Sequence, residues 1–67
     1  MTNEKRNALK QTIKLKTLAT LAQINQSYLS DIINNNKRCS RRLAEDLAFH
    51  ANTLVGSSFF QASDFLN

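Results

Sequence analysis

The chain has no proline and a single glycine, Gly56, so it lacks nearly all of the residues that interrupt helices. A single cysteine, Cys39, cannot form an intramolecular disulfide, and one cysteine with one histidine, His50, cannot make a zinc site. We therefore expect a reducing, cytoplasmic setting. No apolar run exceeds three residues, against the roughly 18 of a membrane-spanning helix, so we expect neither a membrane segment nor a signal peptide.

The groups that carry catalysis are also scarce. One histidine, one cysteine and five scattered acidic residues provide no paired carboxylates, no nucleophile beside a base and no metal cluster. We therefore expect no enzymatic activity, cofactor, metal or small-molecule substrate. At 67 residues the chain is expected to form one domain, residues 1–67, whose small core favours self-association.

Positive charge is concentrated in the first two thirds of the chain. All nine lysines and arginines lie at or before Arg42, together with only two acidic residues, so this part carries +7. The remainder carries −3, from Glu45, Asp46 and Asp64. This distribution favours an anionic partner for the basic part, and charge that serves only solubility is the alternative.

Apolar residues at helical spacing predict two helices in the first part of the chain. The first runs from a Thr2 or Asn3 cap to about Lys14, and the second runs from Thr17 to about Gln23. The residues expected on their buried faces are Leu9, Ile13, Leu18, Leu21 and Ala22.

Two more helices are predicted further along. The third begins after Asn25 and is ended by three asparagines, residues 34–36, which tolerate the left-handed backbone. The fourth begins after a Ser40 cap and stops around Asn52. Their expected buried residues are Leu29, Ile32, Ile33, Leu43, Ala44, Leu47, Ala48 and Ala51.

The C-terminal segment, residues 53–67, is too apolar for a free tail. Ser63 and Asp64 are predicted to cap a last helical turn. The segment either completes the monomer core or forms a dimer surface, and the residues predicted for dimerisation are Leu54, Val55, Phe59, Phe60 and Phe65. The predicted fold class is all-α, a compact bundle of four to five short helices.

The second and third predicted helices are separated by about three residues, and the third is polar on its outer side. In this arrangement one helix stands in the major groove of DNA while the other braces it. The matching residues are Leu18-Ala19, Ala22, Ile24, Gln26-Ser27-Tyr28-Leu29-Ser30, Ile32, Asn36-Lys37-Arg38-Cys39-Ser40 and Leu43-Ala44. On these residues the stretch 14–48 resembles the helix-turn-helix of lambda-repressor and Cro-like (XRE-type) transcriptional regulators, a family common in phages and mobile elements.

The sequence departs from the family pattern at four places, one of which is the loop before Ser40, where the common proline is missing. Gln23 stands where the turn usually has glycine, and Asn35 or Asn36 replaces a glycine after the third helix. Residues 14–16, Lys-Leu-Lys, replace the usual glutamine or serine near the start of the second helix, so lysine would supply the phosphate contact there.

The resemblance implies a role for each matching position. Gln26 and Ser27 would contact base edges, and Asp31 would do so by accepting a hydrogen bond from a cytosine amine. Arg42 is a further candidate for a phosphate contact. The residues implied to contact the DNA backbone are Lys14, Lys16, Thr17, Tyr28, Ser30, Asn34, Asn35, Asn36, Lys37, Arg38 and Arg41.

Several of these residues have a structural alternative. Tyr28 packs equally well against the core, and Ser30 is equally well a solvent-facing helical serine. Arg41 has Glu45 four residues on, at ion-pair spacing. Cys39 is expected to pack as a small apolar residue in the loop.

The function that the resemblance implies is sequence-specific binding of double-stranded DNA. We expect a repressor that occludes a promoter and binds a palindromic operator as a homodimer, because one recognition helix covers too few base pairs to select a site. The alternative is a protein-interaction module, an anti-repressor or an antagonist of another regulator. It is motivated by Asp31 on the recognition face and by the phenylalanines near the C-terminus.

Overall fold

The computed structural model describes residues 1–66, in which five helices and no strands are found. The prediction of an all-α bundle of four to five short helices is confirmed. The helices are α1 (Asn3–Thr12), α2 (Leu15–Ala22), α3 (Gln26–Ile33), α4 (Arg41–Val55) and α5 (Ala62–Phe65). None of them is long and apolar enough to cross a membrane.

Side-chain caps fix the start of three helices at the predicted residues. The Oγ1 atom of Thr2 accepts a hydrogen bond from the Lys5 amide at 3.2 Å. Asn25 caps α3 through a 2.8 Å bond from the Tyr28 amide, and Ser40 caps α4 through a 3.1 Å bond from the Leu43 amide. Each cap satisfies an amide that has no partner within its own helix.

Three predicted helix boundaries are wrong. Helix α1 ends at Thr12 rather than near Lys14, because the next residue, Ile13, is extended and buried. Helix α2 begins at Leu15, two residues before the predicted Thr17. Helix α4 continues past Asn52 to Val55, where Gly56 in the left-handed conformation (φ 74°) ends it.

The last helix begins one residue before the predicted cap. Gln61 and Asp64 form a reciprocal capping box, in which the Gln61 side chain accepts from the Asp64 amide and the Asp64 carboxylate accepts from the Gln61 amide at 2.9 Å. Ser63 therefore lies inside α5 and does not cap it. The reciprocal pair satisfies two amides at once, which a serine at position 63 does not do.

The core is formed by all five helices. Helix α2 packs against both α3 and α4, and α4 packs against α5. Almost all of the predicted core residues are buried or half-buried, but Leu21 is 43% exposed, and Ala19 occupies the buried position on α2 instead. The buried residues are Leu9, Ile13, Leu18, Ala19, Leu29, Ile32, Ile33, Ala44, Leu47, Ala48, Ala51, Phe60 and Phe65.

The C-terminal segment folds back onto the bundle. The Asn52 side-chain amide donates to the Phe60 carbonyl and accepts from the Phe60 amide, both at 2.8 Å. The Lys5 ammonium lies 3.2 Å from the Asp64 carboxylate, donates to the Phe59 carbonyl and stacks on the Phe59 ring at 4.0 Å. These contacts tie the segment to α1 and to α4.

Because the segment folds back, two of the residues predicted for dimerisation are buried within the monomer. Phe60 is 3% exposed and Phe65 is 1% exposed, so their rings fill the monomer core and are not available to a partner. Their prediction as dimer contacts is corrected, because the tethers from Asn52 and Lys5 hold the segment inward. Leu54 and Phe59 stay partly exposed, and Val55 is half-buried.

The turn between α2 and α3 places a non-glycine residue in the left-handed conformation. Gln23 has φ 60° and ψ 39°, and its amide bonds to the Thr20 carbonyl at 3.1 Å. This conformation strains a side chain with a Cβ atom and costs glycine nothing. We expect Gln23→Gly to raise the free energy of unfolding by about 0.5–1 kcal/mol.

The same substitution within a helix is the matched control. Gln11 is exposed and lies in α1, so Gln11→Gly should lower the free energy of unfolding by about 0.5–1 kcal/mol. Urea denaturation followed by circular dichroism compares the two variants. A loss of stability in both variants would contradict the conclusion that Gln23 is strained in this turn.

Candidate nucleic-acid interface

Helix α3 presents a polar outer face at its first turn. Leu29, Ile32 and Ile33 are buried against the core, which forces Gln26 and Ser27 outward, and both are exposed. The Asn25 cap fixes the start of the helix and therefore the direction of these two side chains. Two of the three residues predicted to contact bases, Gln26 and Ser27, thus begin a helix whose opposite side is anchored by three large apolar side chains.

Lysines from outside α3 lie beside this first turn. A shallow, open hollow between the end of α1 and the start of α3 is lined by Gln26 together with Lys10 and Lys14. Lys14 is among the predicted phosphate contacts, but Lys10 is not, because the resemblance covers only residues 14–48. A signal that could have found it is the closeness in sequence of Lys10 to the predicted contacts Lys14 and Lys16.

The first turn of α2 has no side-chain cap. Lys14 occupies the cap position and makes no capping hydrogen bond, whereas α1, α3 and α4 are all capped by a side chain. The first amides of α2 are therefore open to an external acceptor, and the positive end of the helix favours an anion. Lys16 and Thr17 are exposed on the same first turn, as the phosphate-contact prediction requires.

The loop after α3 is held by its own side chains. The Tyr28 hydroxyl donates to the Arg38 carbonyl at 3.1 Å, so its half-buried ring packs on the core while its hydroxyl fixes the loop. The Asp31 carboxylate lies 3.6 Å from the Lys37 ammonium, and the Asp31 carbonyl accepts from the amides of Asn36 and Lys37 at 2.8 and 3.3 Å. These contacts position the cations of the loop at the end of α3.

The three asparagines of this loop differ in their contacts. Asn35 is left-handed (φ 63°), as expected for a glycine substitute, and its Oδ1 atom accepts from the Met1 backbone nitrogen at 2.6 Å. The Asn34 side chain donates to the Ser30 hydroxyl at 3.4 Å. Within residues 1–66 the Asn36 side chain makes no hydrogen bond, so of the three it is the one most available to an external acceptor.

Some of the basic residues serve the fold. Arg6 donates from Nε to the Ile33 carbonyl at 3.1 Å and so satisfies a carbonyl at the end of α3. Lys5 holds the C-terminal segment. Arg41 pairs with Glu45 at 3.6 Å, as the alternative predicted, but both side chains are more than half exposed, so the pair contributes little to stability.

Cys39 lies between the loop and the core. Its Sγ atom is 3.3 Å from the Phe65 carbonyl, and the residue is half-buried against the core cluster, which matches the expectation of a small packing residue. Burial raises the pKa of the Cys39 thiol above its ordinary value. The thiol is therefore less nucleophilic at neutral pH than an exposed one.

Comparison of the chain with family models, with curated protein sequences and with solved structures gives no match. The functional interpretation therefore rests on the residues and their placement. The structure brings together two groups of the predicted contacts, one at each end of α3. At the start of α3, Lys14 and Gln26 line one hollow, and Ser27 is exposed beside Gln26. At the loop after α3, hydrogen bonds and an ion pair join Tyr28 to Arg38, Asp31 to Lys37 and Ser30 to Asn34.

Proposed function

We propose that this protein binds double-stranded DNA sequence-specifically, with α2 and α3 acting as a helix-turn-helix and α3 entering the major groove. The observation that carries the proposal is the exposed first turn of α3, with Gln26 and Ser27 outward and with lysines beside it. A helix with its side chains is about 10–12 Å across, and the major groove is about 12 Å wide. The Gln26 amide suits adenine, and the Ser27 hydroxyl suits several bases.

Phosphate contacts would flank the groove on both sides. On one side lie the uncapped start of α2 and the side chains of Lys10, Lys14 and Lys16. On the other side lie Lys37 and Arg38, at the loop that Tyr28 and Asp31 position. Cations and helix N-termini are the groups that fix a protein on the DNA backbone.

Asp31 has a place in this proposal. A carboxylate near DNA is repelled by phosphate, but the Lys37 ammonium 3.6 Å away offsets that repulsion. Asp31 therefore stays a candidate acceptor for a cytosine amine. The ion pair with Lys37 also gives a structural reason for Asp31 on this face, which had suggested a protein-interaction module.

The biological role that we propose is repression by occluding a promoter, with the protein bound as a homodimer to a palindromic operator. Helix α3 has eight residues and a single exposed first turn, so one copy contacts only a few base pairs. Two copies related by a two-fold axis read two half-sites about one helical turn apart. Discrimination between operator and other sites then rests on both recognition helices.

The salt dependence of binding to random-sequence duplex DNA tests the proposal. Five cations flank α3, namely Lys10, Lys14, Lys16, Lys37 and Arg38, and each neutralised phosphate contributes about −0.9 to the slope of log affinity against log salt. We expect a slope of about −4.5 per bound copy, measured by fluorescence anisotropy. No binding at low salt, or a slope near zero, would contradict DNA binding.

Two single substitutions separate base contacts from phosphate contacts. We expect Gln26→Ala to reduce discrimination at one base pair of each half-site by about 1–3 kcal/mol, because a bidentate amide contact is lost. Arg38→Ala should weaken binding to all sequences by a similar factor, because phosphates carry no sequence information. Competition with duplexes that differ at single base pairs distinguishes the two, and a uniform loss for Gln26→Ala would remove it from the base contacts.

A further inference from the structure

Asp31 is an acidic residue on the face of α3 that also carries Ser27. The two lie four residues apart, which is about one helical turn, so their side chains share this face. Asp31 also lies in the last turn of α3, next to the negative end of the helix dipole, where a carboxylate is unfavourable. The helix itself therefore gives no reason for an acid at this position.

The structure pairs the Asp31 carboxylate with the ammonium of Lys37. The Oδ2 and Nζ atoms are 3.6 Å apart, and the two side chains are 37% and 60% exposed. The Asp31 carbonyl accepts from the Lys37 amide at 3.3 Å, so the backbone of Lys37 is held at the end of α3. The Lys37 ammonium also lies 6.0 Å from the centre of the Tyr28 ring, which packs on the core. Backbone and side-chain contacts together thus place Lys37 beside Asp31.

We propose that Asp31 determines sequence specificity by competing with DNA phosphates for Lys37, until a cytosine amine binds its carboxylate. This inference rests on the proposed function, because it concerns how the DNA-binding face of α3 selects its site. When Lys37 moves toward a phosphate, the Asp31 carboxylate loses its cation and faces an anionic surface. A cytosine within reach compensates for that loss, because its N4 amine donates a hydrogen bond to the carboxylate.

DNA sequences without that cytosine are penalised twice. Lys37 gives up part of its attraction to Asp31, and the carboxylate stays unpaired near the phosphates. Both side chains are more than a third exposed, and exposed ion pairs change an equilibrium constant by a factor of about 2–5. With the repulsion between carboxylate and phosphate included, we expect Asp31 to lower the affinity for random DNA about fivefold per bound copy.

The affinity for a random-sequence duplex of about 20 base pairs, two helical turns, tests this penalty by fluorescence anisotropy at moderate salt. Asp31→Asn keeps the shape of the side chain and removes its charge, and we expect it to raise the affinity about fivefold. Asp31→Glu keeps the charge, so its affinity should stay within about twofold of the original. A purely structural role for Asp31 predicts the opposite sign, because a loosened loop would weaken binding.

Asp46→Asn is the matched control. Asp46 is an exposed residue of α4, outside α2, α3 and the loops that follow them, and its substitution changes the net charge by the same amount. We expect it to change the affinity for the same duplex less than about twofold. If Asp31→Asn binds no more tightly than Asp46→Asn, the effect is one of net charge, and the proposal is overturned.

A double-mutant cycle tests the competition for Lys37. Lys37→Gln should weaken binding of the random duplex about twofold in the original protein and about fivefold in the Asp31→Asn background. The second factor is larger because the whole attraction of Lys37 is then available to phosphate. Equal factors in the two backgrounds would mean that Asp31 and Lys37 act independently, which would also overturn the proposal.

Selection of bound duplexes from a random pool tests the role of cytosine. We expect the original protein and Asp46→Asn to enrich cytosine at one position of each half-site, and Asp31→Asn to lose that preference. An unchanged preference in Asp31→Asn, or no cytosine preference in the original protein, would overturn this inference and leave DNA binding itself intact. Failure of the original protein to bind any duplex at low salt would overturn the proposed function instead.

Discussion

Phe65→Ala is expected to lower the free energy of unfolding by about 3–5 kcal/mol. Phe65 is 1% exposed, lies in the one-turn helix α5 and packs beside Phe60, with 6.3 Å between the ring centroids. Its removal leaves a cavity in a core that is small from the start. Stabilities of small domains lie near the lower end of 5–15 kcal/mol, so a large part of the stability is lost.

Phe49→Ala is the matched control, because it removes the same atoms from a ring that is 67% exposed. Its effect on the free energy of unfolding, measured by urea denaturation, should stay within about 0.5 kcal/mol. Equal losses in the two variants would contradict the placement of α5 in the core. The C-terminal segment would then be the free surface that its composition also allows.

Lys14→Ala/Lys16→Ala is expected to weaken DNA binding by about 1,000-fold at moderate salt. The two lysines stand at the uncapped start of α2, so a dimer would lose four phosphate contacts, at about 1 kcal/mol each for exposed side chains. The slope of log affinity against log salt should become shallower by about 3.6 per dimer. Fluorescence anisotropy over a series of salt concentrations measures both quantities.

Lys14→Arg/Lys16→Arg controls for charge. Both side chains are exposed, so arginine fits without repacking, and the charge at the start of α2 is unchanged. We expect affinity within about threefold of the original protein and an unchanged salt slope. If the alanine and arginine variants bind alike, the start of α2 does not contact DNA.

Local signals in the sequence predicted most of the helix starts and most of the core. Thr2 and Ser40 cap helices as expected, and α3 begins after Asn25 as expected, because a helix start depends on residues within one turn. The burial of the apolar face of α3 followed from its spacing. The burial of Leu21 was predicted wrongly. Periodicity shows which residues share one face of a helix, but it does not show how that face is oriented toward the rest of the protein. In α2 the side that carries Ala19 faces the core.

Contacts between residues that lie far apart in the sequence could not be predicted from local sequence patterns. The buried position of Phe60 depends on two hydrogen bonds with Asn52. The position of Asp64 depends on an ion pair with Lys5, at the other end of the chain. The proximity of Lys10 to Gln26 depends on how α1 meets α3. Periodicity and composition contain no information on these contacts, so the choice between core and dimer surface was left open.

We propose above all that the first turn of α3 reads the sequence of double-stranded DNA. The most direct test is selection of bound duplexes from a random pool by the full chain, followed by sequencing. We predict enrichment of an inverted repeat whose half-sites are centred about 10 base pairs apart, and a relaxed preference at one position of each half-site when Gln26→Ala is used. A recovered pool with the composition of the starting pool would contradict the claim.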